Sequence, residues 1–284
     1  MAIDCRVRPP FGKGLSQILF KGQLPAKNRL EENPLGLGKK RVASALAGSV
    51  EQMILEMDFA GIDVAVLMGR KTNNPIYGDS DNNELFDLRD KHPDRFIVFA
   101  GIHPDDPDWR EQIDEACSKG AKGLAVDAGW HVNAVKCDDP KLMPIYEKCQ
   151  EKGLIASITS SIFLGPDVTY SDPVSIQRIS NKFPNLKIVV PHACWPHTPQ
   201  ILGIALICPN IYLMPDCYFY NPHIPLADAI ADAANGYLMK QLLFASSYPV
   251  SGFSQAVEGW AKRPLSREAL LHSMHYNAAR LLDI

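Results

Sequence analysis

Short apolar runs rich in β-branched residues recur along the chain, and amphipathic segments separate them. Runs that are apolar at nearly every position are typical of strands buried on both faces of a parallel sheet. The runs begin near Ile3, Asp63, Phe96, Lys122, Leu154, Lys187, Asn210 and Gln241. Their alternation with amphipathic segments predicts parallel strands joined by crossover helices.

The segments between the runs carry helix start and stop signals. Ser49 with Gln52 forms a capping box, and Gly61 ends that helix just before the second run. Asp172 followed by Pro173 indicates an N-cap with proline at the first helical position. These signals place helices where crossover connections are needed.

We therefore predict a single (β/α)8 TIM barrel over residues 1–284. A doubly wound open sheet is the alternative, but no G-x-G-x-x-G follows the first run. In a barrel, chemistry takes place at the carboxyl ends of the strands. The first loop, residues 9–47, is long and rich in Gly, Pro, Lys and Arg, which makes it a candidate lid.

Composition narrows the class of protein further. The formal net charge of −3 gives no general attraction for nucleic acid or a membrane surface, so we expect neither as a partner. The seven cysteines are odd in number and include no C-x-x-C pair, which favours a reducing cytoplasm over a disulfide framework. No leader and no apolar run of membrane-spanning length is visible. A homodimer or homotetramer is compatible with the aromatic loop predicted at residues 216–223.

Several segments resemble one known family in the correct order along the whole chain. They are IDCRVRP from residue 3, the PDRF of residues 93–96, LKIVVPH ending at residue 192, FASSYP from residue 244 and NAARLL from residue 277. They resemble I-D-x-H-x-H-P, P-x-R-F, the sixth strand, F-G-S-D-Y-P and N-A-x-x-L of the amidohydrolase 2 family. That family includes decarboxylases and a lactonase, so the resemblance implies a TIM barrel enzyme.

The resemblance also implies that most of the family's metal ligands are replaced. The H-x-H pair falls on Arg6 and Arg8, the fifth-strand histidine on Thr159 and the eighth-strand aspartate on Ser247, while His192 is kept. A protonated guanidinium has no lone pair for a metal, and neutral hydroxyls are poor replacements for imidazole and carboxylate. We therefore expect no cofactor at the usual zinc position.

Two hypotheses follow for the altered site. In the first, Arg6 and Arg8 bind the carboxylate of a small-molecule substrate; the alternative is that they pair with internal acids such as Asp4 or Asp216. In the second, a divalent metal such as zinc occupies a relocated site. Its ligands would be the residues at four strand ends, namely His103, Asp127, His192 and Asp216. Hydrogen bonding alone is the alternative role for these four.

Without a metal, His192 is the best general acid or base, assisted by Asp216. Cys194 is a conceivable nucleophile, although packing is the simpler role. In the seventh loop Tyr218 and its neighbours offer aromatic walls for a ligand, or else surface packing or a subunit contact. Further candidate substrate contacts are Asp127, Thr159 and the loop histidines His131, His197 and His223.

The favoured function is hydrolysis of a lactone or similar acyl bond in a small carboxylated substrate. Arg6 and Arg8 would hold the carboxylate, His192 would direct water, and Thr159 or Ser247 would donate to the oxyanion. A non-oxidative decarboxylase is the first alternative, with a proton delivered to carbon by His192 or Asp216. A non-catalytic binding barrel is the second.

Overall fold

The computed structural model describes residues 2–9, 42–222 and 224–284. Seven parallel strands form one curled sheet in sequence order. They are β1 Ala2–Val7, β2 Ile62–Met68, β3 Phe96–Gly101, β4 Gly123–Val126, β5 Ile155–Ile158, β6 Ile188–Pro191 and β7 Ile211–Met214. All seven lie at predicted apolar runs, and their parallel order without reversal excludes the doubly wound alternative.

Helices connect consecutive strands and pack on one side of the sheet. The first six are α1 Ala43–Ala47, α2 Val50–Ala60, α3 Asn82–Lys91, α4 Trp109–Ser118, α5 Met143–Glu151 and α6 Pro173–Lys182. The others are α7 Thr198–Ile207, α8 Cys217–Tyr220, α9 Ala227–Ala234, α10 Phe253–Ala261, α11 Arg267–Leu271 and α12 Asn277–Leu282. Among these described helices none is long and apolar enough to cross a bilayer.

The predicted helix caps are confirmed. The Ser49 hydroxyl accepts a hydrogen bond from the Gln52 amide at the start of α2, and Gly61 follows the helix in the left-handed conformation with φ of 72°. Asp172 accepts from the Val174 amide at the start of α6, with Pro173 at the first turn. Local sequence therefore fixes where these crossover helices begin and end.

The eighth predicted strand is not a regular strand. Residues near it form isolated parallel bridges, Leu213 with Leu242 and Val7 with Tyr248. The Cys5 amide also donates to the Phe244 carbonyl over 3.0 Å. The eighth run therefore contacts both β7 and β1 but adds no continuous hydrogen-bond ladder, so the structure confirms seven of the eight predicted strands and does not confirm the eighth.

Two apolar clusters fill the molecule. The larger packs the helices against the sheet. The smaller one contains residues from all seven strands and from the eighth run, and of the helices only α12 contributes to it. It therefore fills the side of the sheet that faces away from the crossover helices, which we call the inner side. The candidate lid lies mostly at residues 10–41, outside the described residues.

Two glycines set the spacing of β2 and β3 at their carboxyl ends. A Cβ added to Gly69 would lie 2.2 Å from the amide nitrogen of Gly101. A Cβ added to Gly101 would lie 2.7 Å from the backbone of Arg70. Real Cβ atoms do not approach backbone this closely, so both positions require glycine.

Candidate functional site

Polar side chains continue the inner side of the sheet just beyond the strand ends. Side chains two residues apart along an extended chain share a face. Four site residues stand two positions after members of the inner cluster: Arg70 after Met68, Asp127 after Ala125, Asp216 after Met214 and Ser247 after Ala245. The site therefore lies directly above the inner core.

Arg6 joins β1 to the seventh and eighth strand ends. Its Nη1 donates to Asp216 Oδ2 and to Ser247 Oγ, each over 3.1 Å. All three side chains are buried. Ser247 uses an oxygen lone pair in this contact, so its hydroxyl proton stays available to a ligand. The alternative hypothesis, in which Arg6 pairs with an internal acid, is confirmed for Asp216.

His192 and Asp216 form a buried hydrogen-bonded pair. His192 Nδ1 lies 2.8 Å from Asp216 Oδ1, and the Tyr218 ring meets the imidazole edge to face with centroids 5.5 Å apart. In the described part of the chain, nothing bonds the buried Nε2 of His192. Because Nδ1 donates to the carboxylate, the neutral tautomer leaves a lone pair on Nε2.

The pKa values of this pair keep histidine neutral and aspartate ionised. Burial lowers the pKa of His192, and the charge of Arg6 adds to this, although Asp216 acts in the opposite direction. Burial alone would raise the pKa of Asp216, but His192 and Arg6 outweigh it, so the pKa of Asp216 is lowered. A neutral imidazole beside an ionised carboxylate is suited to accept a proton.

Arg8 forms the second ion pair, with Asp127. Its Nη2 donates to both carboxylate oxygens, at 3.1 Å and 2.8 Å. The Thr159 hydroxyl donates to Asp127 Oδ1, so Thr159 supports Asp127 and has no proton left for an oxyanion. Burial would raise the pKa of Asp127, but Arg8 and Arg70 outweigh it and lower it to about 2.

Arg70 is a site residue that the sequence analysis missed. Its Nε lies 3.7 Å from Asp127 Oδ2, and its Nη1 donates to the Tyr77 carbonyl over 3.0 Å. The guanidinium also lies over the Trp130 ring, 4.5 Å from its centroid. The signal that could have found it is its position two residues after Met68, in phase with the inner side of β2.

His103 and His131 lie against each other at the ends of β3 and β4. Their ring centroids are 4.0 Å apart, and both Nε2 atoms are buried without a partner among the described residues. Burial lowers the pKa of His103, and burial together with His103 lowers that of His131 to about 4. Both rings are therefore neutral at physiological pH.

Asp4 lies behind the arginines at the base of the site. Its Oδ1 accepts hydrogen bonds from the amides of Arg6 and Ser246, at 3.1 Å and 3.0 Å, and its Oδ2 has no partner in the described chain. Complete burial raises the pKa of Asp4 to about 7, against the effect of these hydrogen bonds. Asp4 does not share Arg6 with Asp216 as a side-chain ion pair.

The aromatic residues of the seventh loop are internal. Tyr218 is buried and stacks on Trp195 with centroids 4.9 Å apart, and Tyr220 donates from its hydroxyl to the Ser246 carbonyl. The alternative of surface packing or a subunit contact is therefore wrong for Tyr218, Phe219 and Tyr220, which are all buried. Tyr218 forms a wall beside His192.

The remaining candidates lie away from the polar cluster. Burial raises the pKa of the Cys194 thiol to about 12, so it is no thiolate nucleophile, which agrees with a packing role. His197 is half-buried, and its Nε2 lies 3.4 Å from the Val168 carbonyl. His223 lies outside the described residues.

Of the four residues predicted for a relocated metal, the structure brings two together. Among the described residues one group of three possible ligands has donor atoms within 4.8 Å of one another, and it consists of His192, Asp216 and Cys217. Asp127 is bound to Arg8 and Thr159, and His103 lies against His131. The four-residue set is thus not gathered around one point.

The donor chemistry of this group does not fit a divalent cation. Asp216 Oδ2 already accepts from Arg6, and Oδ1 accepts from the Cys217 amide while lying 2.8 Å from His192. A cationic guanidinium therefore occupies the coordination space that an ion would need.

Seven parallel strands in one curled sheet, with a buried histidine–aspartate pair at their carboxyl ends, define an α/β fold of half-barrel form. The amidohydrolase family model Amidohydro_2 matches residues 4–284. The chain therefore belongs to this family, as the resemblance implied. The comparison with curated proteins gave no match.

Solved structures share the fold over nearly the whole chain. An uncharacterised TIM-barrel protein of Bordetella bronchiseptica is 28% identical with a TM-score of 0.88, covering 99% of this chain and 98% of that chain. A 2,6-dihydroxybenzoate decarboxylase of Rhizobium is 15% identical with a TM-score of 0.71, covering 99% and 98%. A dihydroxybenzoic acid decarboxylase of Polaromonas sp. JS666, solved with manganese, is 17% identical with a TM-score of 0.69, covering 99% and 96%.

The manganese-containing relative shows that this fold accommodates a metal, so the comparisons do not support the expectation that no cofactor is used. Among the described residues, the group of His192, Asp216 and Cys217 does not fit an ion, because Arg6 already binds Asp216.

Proposed function

We propose that the chain is an enzyme that hydrolyses an ester or lactone bond in a small carboxylated substrate, without a metal ion. One observation carries this proposal: His192 Nδ1 lies 2.8 Å from Asp216 while its buried Nε2 has no partner among the described residues. A buried imidazole oriented by a carboxylate, with its second nitrogen free, is the arrangement of a general base.

In this mechanism His192 activates water. Nε2 removes a proton as the water oxygen attacks the acyl carbon, and the carbonyl electron pair moves to oxygen. Arg6, whose Nε has no partner in the described chain, and the Ser247 hydroxyl would stabilise that oxyanion. When the carbonyl re-forms, the leaving alkoxide takes the proton from His192, which restores the neutral imidazole.

A decarboxylase is the second candidate, and the comparisons favour it, because similar structures are named as decarboxylases of aromatic acids. Carbon dioxide would leave from a carboxylate held by the arginines, and His192 would deliver a proton to carbon. Cations around a carboxylate stabilise the carboxylate anion more than neutral carbon dioxide, and a histidine with a lowered pKa is mostly unprotonated at neutral pH and has no proton to deliver. For these reasons we place hydrolysis first and a non-catalytic binding barrel last.

We further propose that the eighth run closes the sheet into a full barrel and that the protein is cytoplasmic. The bridges from the eighth run to both β7 and β1 support closure. All seven cysteines are free thiols, which supports a reducing compartment. Assembly as a homodimer or homotetramer, with a small carboxylate and no nucleic acid or membrane as partner, stays a prediction.

The test is product analysis on a panel of lactones and aryl esters that carry one carboxyl group, together with hydroxybenzoic acids. We expect a hydroxy acid or phenol without carbon dioxide. His192→Asn should lower the rate at least about 100-fold, since it removes the base. His197→Asn, at a half-buried histidine outside the His192–Asp216 pair, is the matched control and should leave the rate unchanged. Release of carbon dioxide would favour the decarboxylase, and binding without turnover the binding barrel.

A further inference from the structure

Two buried guanidinium groups meet at one carboxylate, and each keeps an unused N–H. Arg8 binds both oxygens of Asp127 through Nη2, and its Nε donates to the Met68 carbonyl over 3.3 Å. Arg70 binds the Tyr77 carbonyl through Nη1. Within the described residues, Arg8 Nη1 and Arg70 Nε are buried and have no hydrogen-bond partner, although Arg70 Nε lies 3.7 Å from Asp127 Oδ2. Unused buried donors on cations call for an acceptor.

The ring of Trp130 keeps these donors in place. The Arg70 guanidinium lies 4.5 Å and that of Arg8 5.9 Å from its centroid. Tyr77 in turn stacks on Trp130 with centroids 5.5 Å apart. A guanidinium that rests on an aromatic ring and is tied to a backbone carbonyl loses little freedom when a ligand binds.

Of the three buried arginines, Arg70 is the one that has no separate aspartate as its ion-pair partner. Arg6 has Asp216 and Arg8 has Asp127, whereas Arg70 shares Asp127 at 3.7 Å. Asp79 also raises the pKa of Arg70, but Asp79 is only half-buried and accepts hydrogen bonds from Thr72 and Asn73. Burial lowers the pKa of Arg70 to about 10, so it stays charged at neutral pH.

Asp4 is the third buried acid near these arginines, and its protonation state decides the net charge of the buried groups. The described buried side chains include the three arginines and the carboxyls of Asp4, Asp127 and Asp216. When all three aspartates are ionised, their charges balance those of the arginines; burial raises the pKa of Asp4 to about 7, and its protonation would leave one positive charge in excess. An uncompensated buried charge is costly, and one bound anion would offset it.

We propose that Arg70, together with Arg8, forms a carboxylate subsite that binds the single carboxylate of a monoanionic substrate, separate from the His192–Asp216 pair. This rests on the proposed function for its substrate class but not for its binding. The planar fork of arginine suits a carboxylate, which would accept from Arg8 Nη1 and Arg70 Nε together. A competing role for Arg70 is structural, holding the loop through Tyr77.

The experiment is calorimetric titration of the full chain with benzoate, its neutral analogue benzamide and the dianion isophthalate. The variants are Arg70→Met, which removes the charge, and Arg70→Lys, which keeps the charge but not the fork. Arg178→Met is the matched control, because Arg178 is an exposed arginine with a salt bridge to Asp138 at 2.9 Å. Each protein is also prepared with His192→Asn, so that binding is measured independently of turnover.

We expect Arg70→Met to weaken benzoate binding by about 10- to 100-fold, the loss typical of a hydrogen bond to a charged group. Arg70→Lys should recover part of the affinity, and Arg178→Met and His192→Asn should change it less than about twofold. Benzamide should bind more weakly than benzoate, and isophthalate no more tightly, since its second charge has no cation left.

The subsite is wrong if Arg70→Met binds benzoate within about twofold of the unchanged protein, or if neither benzoate nor isophthalate binds that protein. It is also wrong if isophthalate binds more than about tenfold tighter than benzoate. If Arg70→Met shows no cooperative thermal transition, it has not folded. The benzoate affinity of Arg70→Lys is then compared with that of the unchanged protein instead. Arg70-dependent binding with no hydrolysis of any panel compound would instead refute the proposed function and leave the subsite standing.

Discussion

The guanidinium of Arg8 donates to both carboxylate oxygens of Asp127, at 3.1 Å and 2.8 Å. Burial and the neighbouring charge of Arg70 lower the pKa of Arg8, and the adjacent carboxylate of Asp127 acts in the opposite direction. The pair lies at the carboxyl ends of β1 and β4. The Arg8 guanidinium therefore occupies carboxylate oxygens that could otherwise bind a metal ion.

The first prediction concerns metal removal. We expect the purified protein to keep its thermal unfolding midpoint and its benzoate affinity after treatment with a chelator, because Asp127 and Asp216 are bound to arginines. Elemental analysis before and after treatment, combined with the two titrations, is the measurement. Stoichiometric zinc or manganese whose removal abolishes binding would contradict the metal-independent mechanism.

The second prediction concerns Thr159→Val. The change removes the hydroxyl that donates to Asp127 and leaves a buried carboxylate oxygen with fewer partners. We expect a loss of about 1–3 kcal/mol in the free energy of unfolding. Because this hydrogen bond lowers the pKa of Asp127, acid unfolding should also begin at higher pH.

The control for this change is Thr169→Val. Thr169 also donates to an aspartate, Asp167, but the pair is exposed. Its loss should alter the free energy of unfolding by only about 0.5 kcal/mol. Equal effects of the two substitutions in urea unfolding would show that burial of Asp127 adds nothing.

The third prediction concerns Arg6→Met. The charge of Arg6 lowers the pKa of His192, so its removal should raise that pKa. If His192 is a base, the acid limb of the pH–rate profile should move to higher pH. Titration of the imidazole by NMR measures the same shift without substrate, with Arg178→Met as the control. An unchanged or lower pKa of His192 in Arg6→Met would refute the electrostatic coupling.

Sequence pattern predicted the seven strands and the helix caps because both are local. A run of apolar residues buries on two faces whatever its neighbours are, and a capping hydroxyl bonds three residues ahead. The eighth run was also predicted as a strand, and the structure does not confirm it as a regular one. Whether an apolar segment forms a continuous ladder depends on register with β7 and β1, which its own sequence does not encode.

The site was predicted less completely, for the same reason. His192, Asp216, Arg6 and Ser247 were placed at strand ends, and the structure joins them. The partner of Arg8 was missed, since Asp127 is 119 residues away and no local signal links them. Arg70 lay in phase with β2 but outside every motif of the family resemblance, so position alone gave no reason to choose it.

The fourth prediction concerns Asp4→Asn. The pKa of Asp4 is about 7 when folded, against 3.8 as the ordinary value, so folding favours its protonated form. This contribution to stability is present below pH 4 and is lost as pH rises through 7. Asparagine cannot ionise and so avoids this loss. Relative to the unchanged protein, the variant should gain stability as pH rises from 4 to 7, up to an amount on the order of 4 kcal/mol.

Urea unfolding at several pH values measures this gain. Asp94→Asn, at an exposed position, is the control and should follow the unchanged protein. A difference between Asp4→Asn and the unchanged protein that is the same at every pH would mean that the Asp4 carboxyl is already ionised throughout.

Gly69 and Gly101 constrain how this site could be re-engineered. Any side chain at either residue would collide with the neighbouring backbone and push β2 away from β3 at the point where Arg70 begins. A mutagenesis library that aims to change substrate preference should therefore keep both codons fixed and vary the side chains around them. The strand spacing is thus a fixed frame, and new specificities have to be sought in the groups mounted on it.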